Sequence, residues 1–140
     1  MKIMLICSTS CYGYVADIKD KLEGMGHSIL VPNSYESPVT NDDNKVMSEE
    51  EYLEFFKTMF HESRNKIKDV DAVLVLNYDK EKNGIKKENY IGASTFLEMY
   101  EAFMNNKKIF MMNGYPDNLL LDEIKGFAPI IINGDLNLVK

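Results

Sequence analysis

The chain has 140 residues, the length of one domain, and its 45% hydrophobic and 27% charged residues are typical of a globular protein with a single core. A net charge of −6 and a pI near 4.9 argue against nucleic acid polymers as partners, because binding a phosphate backbone requires a basic surface. No apolar run approaches the roughly 20 residues that cross a bilayer, and no signal-type cleavage site follows the first apolar run. We therefore expect a cytoplasmic protein without membrane association.

The first part of the chain predicts two strands and one helix. Residues 1–7 form an apolar run typical of a buried strand, and residues 8–13 have the small, polar composition of a turn. Apolar residues then recur at helical spacing up to Met25, and Gly24 and Gly26 end that helix. Residues 27–32 supply the second strand.

A polar stretch and a long helix follow. Residues 33–47 follow Pro32, contain Pro38 and have no periodicity, which predicts an insertion or a lid. Ser48 and Glu51 form a capping-box pattern, so we expect a helix to begin there. Its apolar face includes Tyr52, Phe55 and Phe56, and we interpret these aromatics as core residues.

The rest of the chain alternates between strands and helices. Residues 72–76 are an unbroken apolar strand, and residues 77–92 are a polar loop with four lysines. The later segments are predicted as a helix at 95–104, a strand at 108–112, a short helix at 119–124 and a strand at 129–132.

This alternation predicts a three-layer α/β fold of the flavodoxin-like or Rossmann-like type in one domain, residues 1–140. Strands joined by helical crossovers form a parallel sheet, and right-handed crossovers give the strand order 2-1-3-4-5. Ligands of such sheets bind beyond the carboxyl ends of the strands. We therefore look for a site where the strands end.

Polar residues follow each predicted strand and are our candidates for binding a substrate. They are Ser8, Thr9 and Ser10 after the first strand, Asn33 after the second, Asn77 and Asp79 after the third, Asn113 after the fourth, and Asn133 and Asp135 after the fifth. The alternative is that Asn and Asp are simply favoured in turns. We expect the site itself between the first, third and fourth strands.

The loop of residues 8–14 suits a phosphate or a ribose, because backbone N–H groups at a helix start attract anions. It lacks the GxGxxG or Walker spacing of known nucleotide-binding loops, which favours an ordinary connection whose hydroxyl groups cap the helix. Tyr12 and Tyr14 are candidates to cover a sugar or a base. Cys7 and Cys11 lack the further ligands of a zinc site, and we expect neither a metal nor a cofactor.

Residues 90–99 are the most informative segment. Glu98 follows a polar rim that includes Gly92 and Ser94, and in the first turn of a helix its ionised form would be favoured, as a nucleophile requires. Thr95 and Glu98 also match a capping box, in which Glu98 only secures the helix start.

Three segments resemble the nucleoside 2-deoxyribosyltransferase superfamily, which includes the 2'-deoxynucleoside 5'-phosphate N-hydrolases. They are residues 71–77, residues 90–99 and residues 107–110. The resemblance implies that Glu98 attacks the anomeric carbon of a nucleoside or nucleotide. It also implies a homodimer or higher oligomer in which Asn133, Asp135 or Asn137 completes a neighbouring site.

The implied reaction cleaves an N-glycosidic bond, and a carboxylate stabilises the oxocarbenium-like state through which it passes. Asp71, Asn77 and Asp79 are candidates to hold or protonate the leaving base, and Tyr12 to orient Glu98. The chain departs from the family at Gly92, where transferases carry an acid, and in its first loop, which has no Arg. A module that binds a nucleotide without turnover, or a flavin protein, stays open as an alternative.

Overall fold

The computed structural model describes residues 1–36, 47–117 and 120–140. Five parallel strands form the central sheet in the order β2-β1-β3-β6-β7, and two further strands form a separate antiparallel hairpin. The strands are β1 (Lys2–Ile6), β2 (Ser28–Leu30), β3 (Ala72–Val75), β4 (Lys80–Lys82), β5 (Ile85–Lys87), β6 (Lys108–Met111) and β7 (Ile130–Ile131). The predicted flavodoxin-like sheet is confirmed, since its order 2-1-3-4-5 counts the same five strands.

Helices cover both faces of the sheet because the strand residues alternate between two apolar clusters. Leu5 and Leu74 pack with Val15 on one face, and Met4 and Val73 pack with Met99 on the other. The helices are α1 (Val15–Gly24), α2 (Glu49–Lys68), α3 (Ala93–Met104) and α4 (Leu121–Gly126), with 3-10 helices at Thr9–Tyr14 and Leu136–Leu138.

Helix α2 begins where the sequence predicts, but its aromatic residues are not core residues. The Ser48 hydroxyl accepts a hydrogen bond from the Glu51 amide at 3.1 Å, as a cap does. Among the residues of this helix only Ser63 and Ile67 are buried. A helix of 20 residues is about 30 Å long and a four-residue strand only about 13 Å, so the sheet cannot cover the whole helix. The amino-terminal aromatics are left to line a cavity.

The lysine-rich segment predicted as a loop contains the hairpin of β4 and β5. Asn83 and Gly84 connect these strands with φ angles of 54° and 75°, the left-handed conformation that Asn-Gly supplies in tight hairpins. The prediction of an irregular loop was therefore wrong, and the Asn-Gly pair was the signal that marks the turn.

Several other predicted boundaries differ from the structure. Helix α3 begins at Ala93, two residues earlier than expected, and α4 covers Leu121–Gly126 rather than 119–124. Most of the predicted lid at 33–47 lies outside the described residues. Within the described residues, no helix combines the length and the apolar character needed to cross a membrane.

Candidate active site

A cavity of about 830 Å³ opens where β1, β2 and β3 end, next to the start of α3. This volume lies within the range of sites for small molecules. Nine predicted site residues line it: Ser8, Thr9, Ser10, Tyr12, Asn33, Asp79, Gly92, Ser94 and Glu98. The cavity therefore lies at the ends of β1, β2 and β3, whereas the sequence predicted it at the first, third and fourth strands, the fourth being β6. Asn33 and helix α2 form its wall beside β2.

Glu98 brings a carboxylate to this cavity from the second turn of α3. Its Oε2 atom accepts a 3.0 Å hydrogen bond from the hydroxyl of Ser63 on α2. Burial raises the pKa of Glu98 to about 7, while the Ser63 hydrogen bond and the charge of Lys66 oppose that rise. The carboxyl group therefore changes its charge near neutral pH.

Two sequence interpretations of Glu98 were wrong. Helix α3 begins at Ala93 with Gly92 as its N-cap, so Glu98 lies beyond the first turn and Thr95 is a buried helical residue rather than a cap. The helix start therefore contributes little to the charge of Glu98, because the dipole effect falls off within the first turn. Side chains of α2 favour the ionised form instead.

Ser63 belongs to a chain of hydrogen bonds that connects three parts of the fold. The Lys66 ammonium donates to Asn33 Oδ1, Asn33 Nδ2 donates to the Ser63 hydroxyl, and Ser63 donates to Glu98. Asn33 and Ser63 are both buried. The carboxylate is thus connected to a lysine through two neutral groups.

The 3-10 helix after β1 supplies the other polar wall. The Tyr12 hydroxyl donates to the backbone carbonyl of Asn33 at 2.9 Å, which ties this helix to the residue that supports Ser63. Burial raises the pKa of Tyr12 to about 12, with smaller contributions from Cys7 and Glu98. Burial likewise raises the pKa of Cys7. Both groups are therefore neutral at pH 7.

Asp79 lines the cavity, but its carboxylate also anchors the hairpin. Its Oδ1 atom accepts from the Asn89 amide at 2.9 Å, and Oδ2 lies 3.3 Å from the Lys86 ammonium. These two contacts hold the pKa of Asp79 below its ordinary value. Its predicted contact with a leaving base stays a prediction, whereas the lowered pKa makes proton donation by this group unfavourable.

Asn77 and Asn113 are placed away from the cavity wall and bond to each other's backbone. Asn77 Nδ2 donates to the carbonyls of Asn113 and Gly114, and Asn77 Oδ1 accepts from the Asn113 amide at 2.9 Å. The Asn113 side chain returns a bond to the Asn77 carbonyl. These bonds use the side chains to join the ends of β3 and β6, and a role of either residue in binding a substrate stays a prediction.

Tyr14, Asn133 and Asp71 also lie elsewhere. The Tyr14 ring stacks on Tyr78 at 3.6 Å between centroids, and Asn133 occupies a turn with φ of 48°. Asp71 accepts from the Lys2 amide, which places it at the amino end of the strands. Asp135 accepts from the Asn137 amide, as a local cap does. A role of the last turn in a neighbouring subunit stays a prediction.

Sequence reasoning missed the residues that α2 and the hairpin contribute. Tyr52, Phe55, Phe56 and Met59 line the cavity from α2, and Lys80, Glu81 and Lys82 line it from the hairpin. The Lys80 ammonium lies 4.6 Å from the centre of the Tyr90 ring, which is also part of the wall. Ser63 and Lys66 continue the spacing of three and four residues that defines the aromatic face of α2. This spacing was the signal in the sequence that predicts them on the same side of the helix.

Within residues 1–36, 47–117 and 120–140, no group of three or more His, Cys, Asp or Glu side chains is arranged to hold a metal ion. The polar groups of the wall are instead hydroxyls, amides, lysines and carboxylates. These groups suit an organic substrate with sugar hydroxyls or a charged substituent.

Comparisons with known proteins give a match in structure alone. No protein family model matches the chain, and no curated protein matches it. The solved 2-deoxyribosyltransferase of the psychrotolerant bacterium Bacillus psychrosaccharolyticus superimposes with a TM-score of 0.53 at 18% identity, over 88% of this chain and 81% of that one. The CMP N-glycosidase BcmB of Clostridium botulinum gives a TM-score of 0.50 at 17% identity, over 95% and 90%. The chain therefore has the fold of these two enzymes, and the resemblance predicted from residues 71–77, 90–99 and 107–110 is confirmed at the level of the fold.

Proposed function

We propose that the protein is an enzyme that cleaves or transfers at the N-glycosidic bond of a nucleoside or nucleotide, with Glu98 as its nucleophile. The observation that carries the proposal is the position of the Glu98 carboxylate, which lies in a cavity of nucleotide size at the carboxyl ends of parallel strands. The fold shared with a deoxyribosyltransferase and a CMP N-glycosidase supports it.

In this mechanism the Glu98 carboxylate forms a bond to the anomeric carbon while the bond from that carbon to the base breaks. The electron pair leaves with the base, which takes up a proton from solvent. Water or a second base then attacks the anomeric carbon, loses a proton to solvent and releases Glu98 as a free carboxylate. Hydrolysis and transfer differ only in this acceptor.

The groups around Glu98 have complementary roles. The aromatic side chains of α2 line the cavity and offer surfaces for the base, and we assign the hydroxyls of Ser8, Thr9 and Ser10, which also line it, to binding the sugar. Lys80 and Lys82 add positive charge to the wall. We infer that a phosphorylated substrate is preferred, since these lysines supply the cations that the first loop lacks.

The test is to incubate the protein with deoxynucleosides, ribonucleosides and their 5'-monophosphates, and to follow the free base by chromatography. The wild type is expected to release base from at least one of them, and Glu98→Gln to lose that activity by roughly a thousandfold or more. Glu101→Gln is the matched control, because Glu101 lies one helical turn away and is paired with Arg64.

The alternative is a module that binds a nucleotide without turnover. Calorimetry with the same compounds separates the two functions. Tight binding with the ligand recovered intact, together with no released base, would establish the module and contradict the enzyme.

A further inference from the structure

The contact between Ser63 and Glu98 joins two helices at the cavity. Ser63 lies on α2 with only 5% of its surface exposed, and its hydroxyl donates to Glu98 Oε2 on α3 at 3.0 Å. A buried hydroxyl with one proton can donate to one acceptor at a time. The direction of the Ser63 hydroxyl proton therefore determines whether the Glu98 carboxylate receives this hydrogen bond.

The neighbours of Ser63 fix this direction. Asn33 Nδ2 donates to the Ser63 oxygen, so the hydroxyl proton is free to point at Glu98. The amide of Asn33 is held in this orientation because Lys66 donates to its Oδ1 atom, and the reversed amide would place an NH₂ group against the ammonium. Every bond from Lys66 to Glu98 therefore runs in one direction, an arrangement in which the bonds strengthen each other.

We propose that Ser63 is a positioning residue for Glu98, and that Lys66 and Asn33 set the direction in which the Ser63 hydroxyl donates. This inference rests on the proposed function, since it explains how the ionised form of the Glu98 carboxyl group is favoured and how that group is aimed at the substrate. Ser63 itself acts through Glu98 and has no role in bond cleavage.

Other groups near Glu98 do not replace this support. Cys7, directly after β1, and Tyr12 from the 3-10 helix are near the carboxylate, but both are neutral at pH 7 because burial raises the pKa of each. On α3, Glu101 is paired with Arg64 of α2. The hairpin brings further charged groups to the cavity wall: Asp79, Lys80, Glu81 and Lys82. Of the groups named, Lys66 alone is both a cation that lowers the pKa of Glu98 and part of its hydrogen-bond chain.

The first experiment measures the titration of Glu98 in the whole protein by NMR of ¹³C-labelled glutamate carboxyl groups, assigned with Glu98→Gln. Ser63→Ala is expected to raise the midpoint by roughly one pH unit, because it removes a donor to the charged form. Ser63→Thr retains the hydroxyl and is expected to restore the wild-type midpoint. Lys66→Met is expected to raise it too.

Matched controls come from the exposed side of the same helix. Thr58→Ala removes a hydroxyl and Lys57→Met removes a lysine, and both positions are exposed on α2. Neither control is expected to move the titration of Glu98. Circular dichroism of each variant checks that the fold is retained.

The second experiment measures base release by the same variants across pH. Ser63→Ala is expected to lower kcat by roughly tenfold to a hundredfold and to move the acid limb of the profile to higher pH, and Ser63→Thr to reverse both effects. A residue with only a structural role would lower activity without moving the limb.

The outcomes of the two experiments are distinguishable. If the wild type is active and Ser63→Ala keeps both the rate and the titration midpoint, the positioning role is wrong. If the wild type releases no base from any substrate, the proposed function fails, and the NMR titration alone then decides whether Ser63 controls the charge of Glu98.

Discussion

Gly92 lies so close to Ser8 that a β-carbon at position 92 would stand 3.0 Å from the Ser8 hydroxyl oxygen. This contact packs the N-cap of α3 against the loop that follows β1. The resemblance to the transferases implies an acidic residue at this position, where the chain has Gly92. A carboxylate at residue 92 would project towards the Ser8 and Tyr90 side chains.

Gly92→Ala is expected to destabilise the protein by about 1 kcal/mol, because the Ser8 side chain must move to admit the methyl group. In a Ser8→Ala background the cost should fall by half or more. Urea unfolding of the four members of this cycle measures the coupling. Gly24→Ala is the control, since a β-carbon there meets no atom within 4 Å, and equal costs in both backgrounds would contradict the contact.

The pH dependence of activity separates a nucleophile from a proton donor at Glu98. Since its pKa is about 7 and a nucleophile must be ionised, kcat/KM is expected to rise with pH to a plateau, with a midpoint near 7. Measurements from pH 5 to 9 with a fixed substrate test this. A rate that falls with the same midpoint would instead make Glu98 a general acid.

Glu98→Gln is expected to stabilise the protein at pH 8 and to have little effect at pH 5. The pKa of Glu98 is raised in the folded state, so the unfolded chain ionises first and stability is lost as the pH rises from about 4.5 to about 7. The gain at pH 8 should reach at most about 3 kcal/mol. Urea unfolding at both pH values measures it, and a gain of equal size at pH 5 would show that charge is not the cause.

Lys80→Met and Lys82→Met are expected to weaken binding of a 5'-monophosphate substrate, with KM raised roughly tenfold and the corresponding nucleoside little affected. Steady-state kinetics on the two substrates gives the comparison. Lys57→Met on the exposed face of α2 is the control. Equal losses with nucleoside and monophosphate would mean that the hairpin does not bind phosphate.

Asn77→Ala is expected to lower the free energy of unfolding by roughly 2–4 kcal/mol, because it leaves the Asn113 amide and the Gly114 carbonyl without their partner. Its effect on the proposed chemistry should be small in comparison, since Asn77 joins strand ends. A thermal melt and an activity assay at low temperature separate the two. Full stability of the variant would contradict the structural role.

The sheet could be predicted from the sequence because its signals are local. Apolar runs such as residues 72–76 and the helical periodicity between them identify strands and crossovers, and the handedness of crossovers then leaves few strand orders. The carboxyl ends of those strands follow directly, and with them the general position of the cavity and of Glu98.

What only the tertiary structure decided is which polar groups meet. Asn33, Ser63 and Glu98 lie up to 65 positions apart in the chain (98 − 33), yet hydrogen bonds connect them across three elements. No periodicity marks such a contact, because it depends on how α2 and α3 pack against the sheet. The same packing buries Glu98 and raises its pKa, where the helix start alone had predicted an ionised carboxylate. The residue was therefore visible in the sequence, whereas its charge and its support depend on side chains that only folding brings to it.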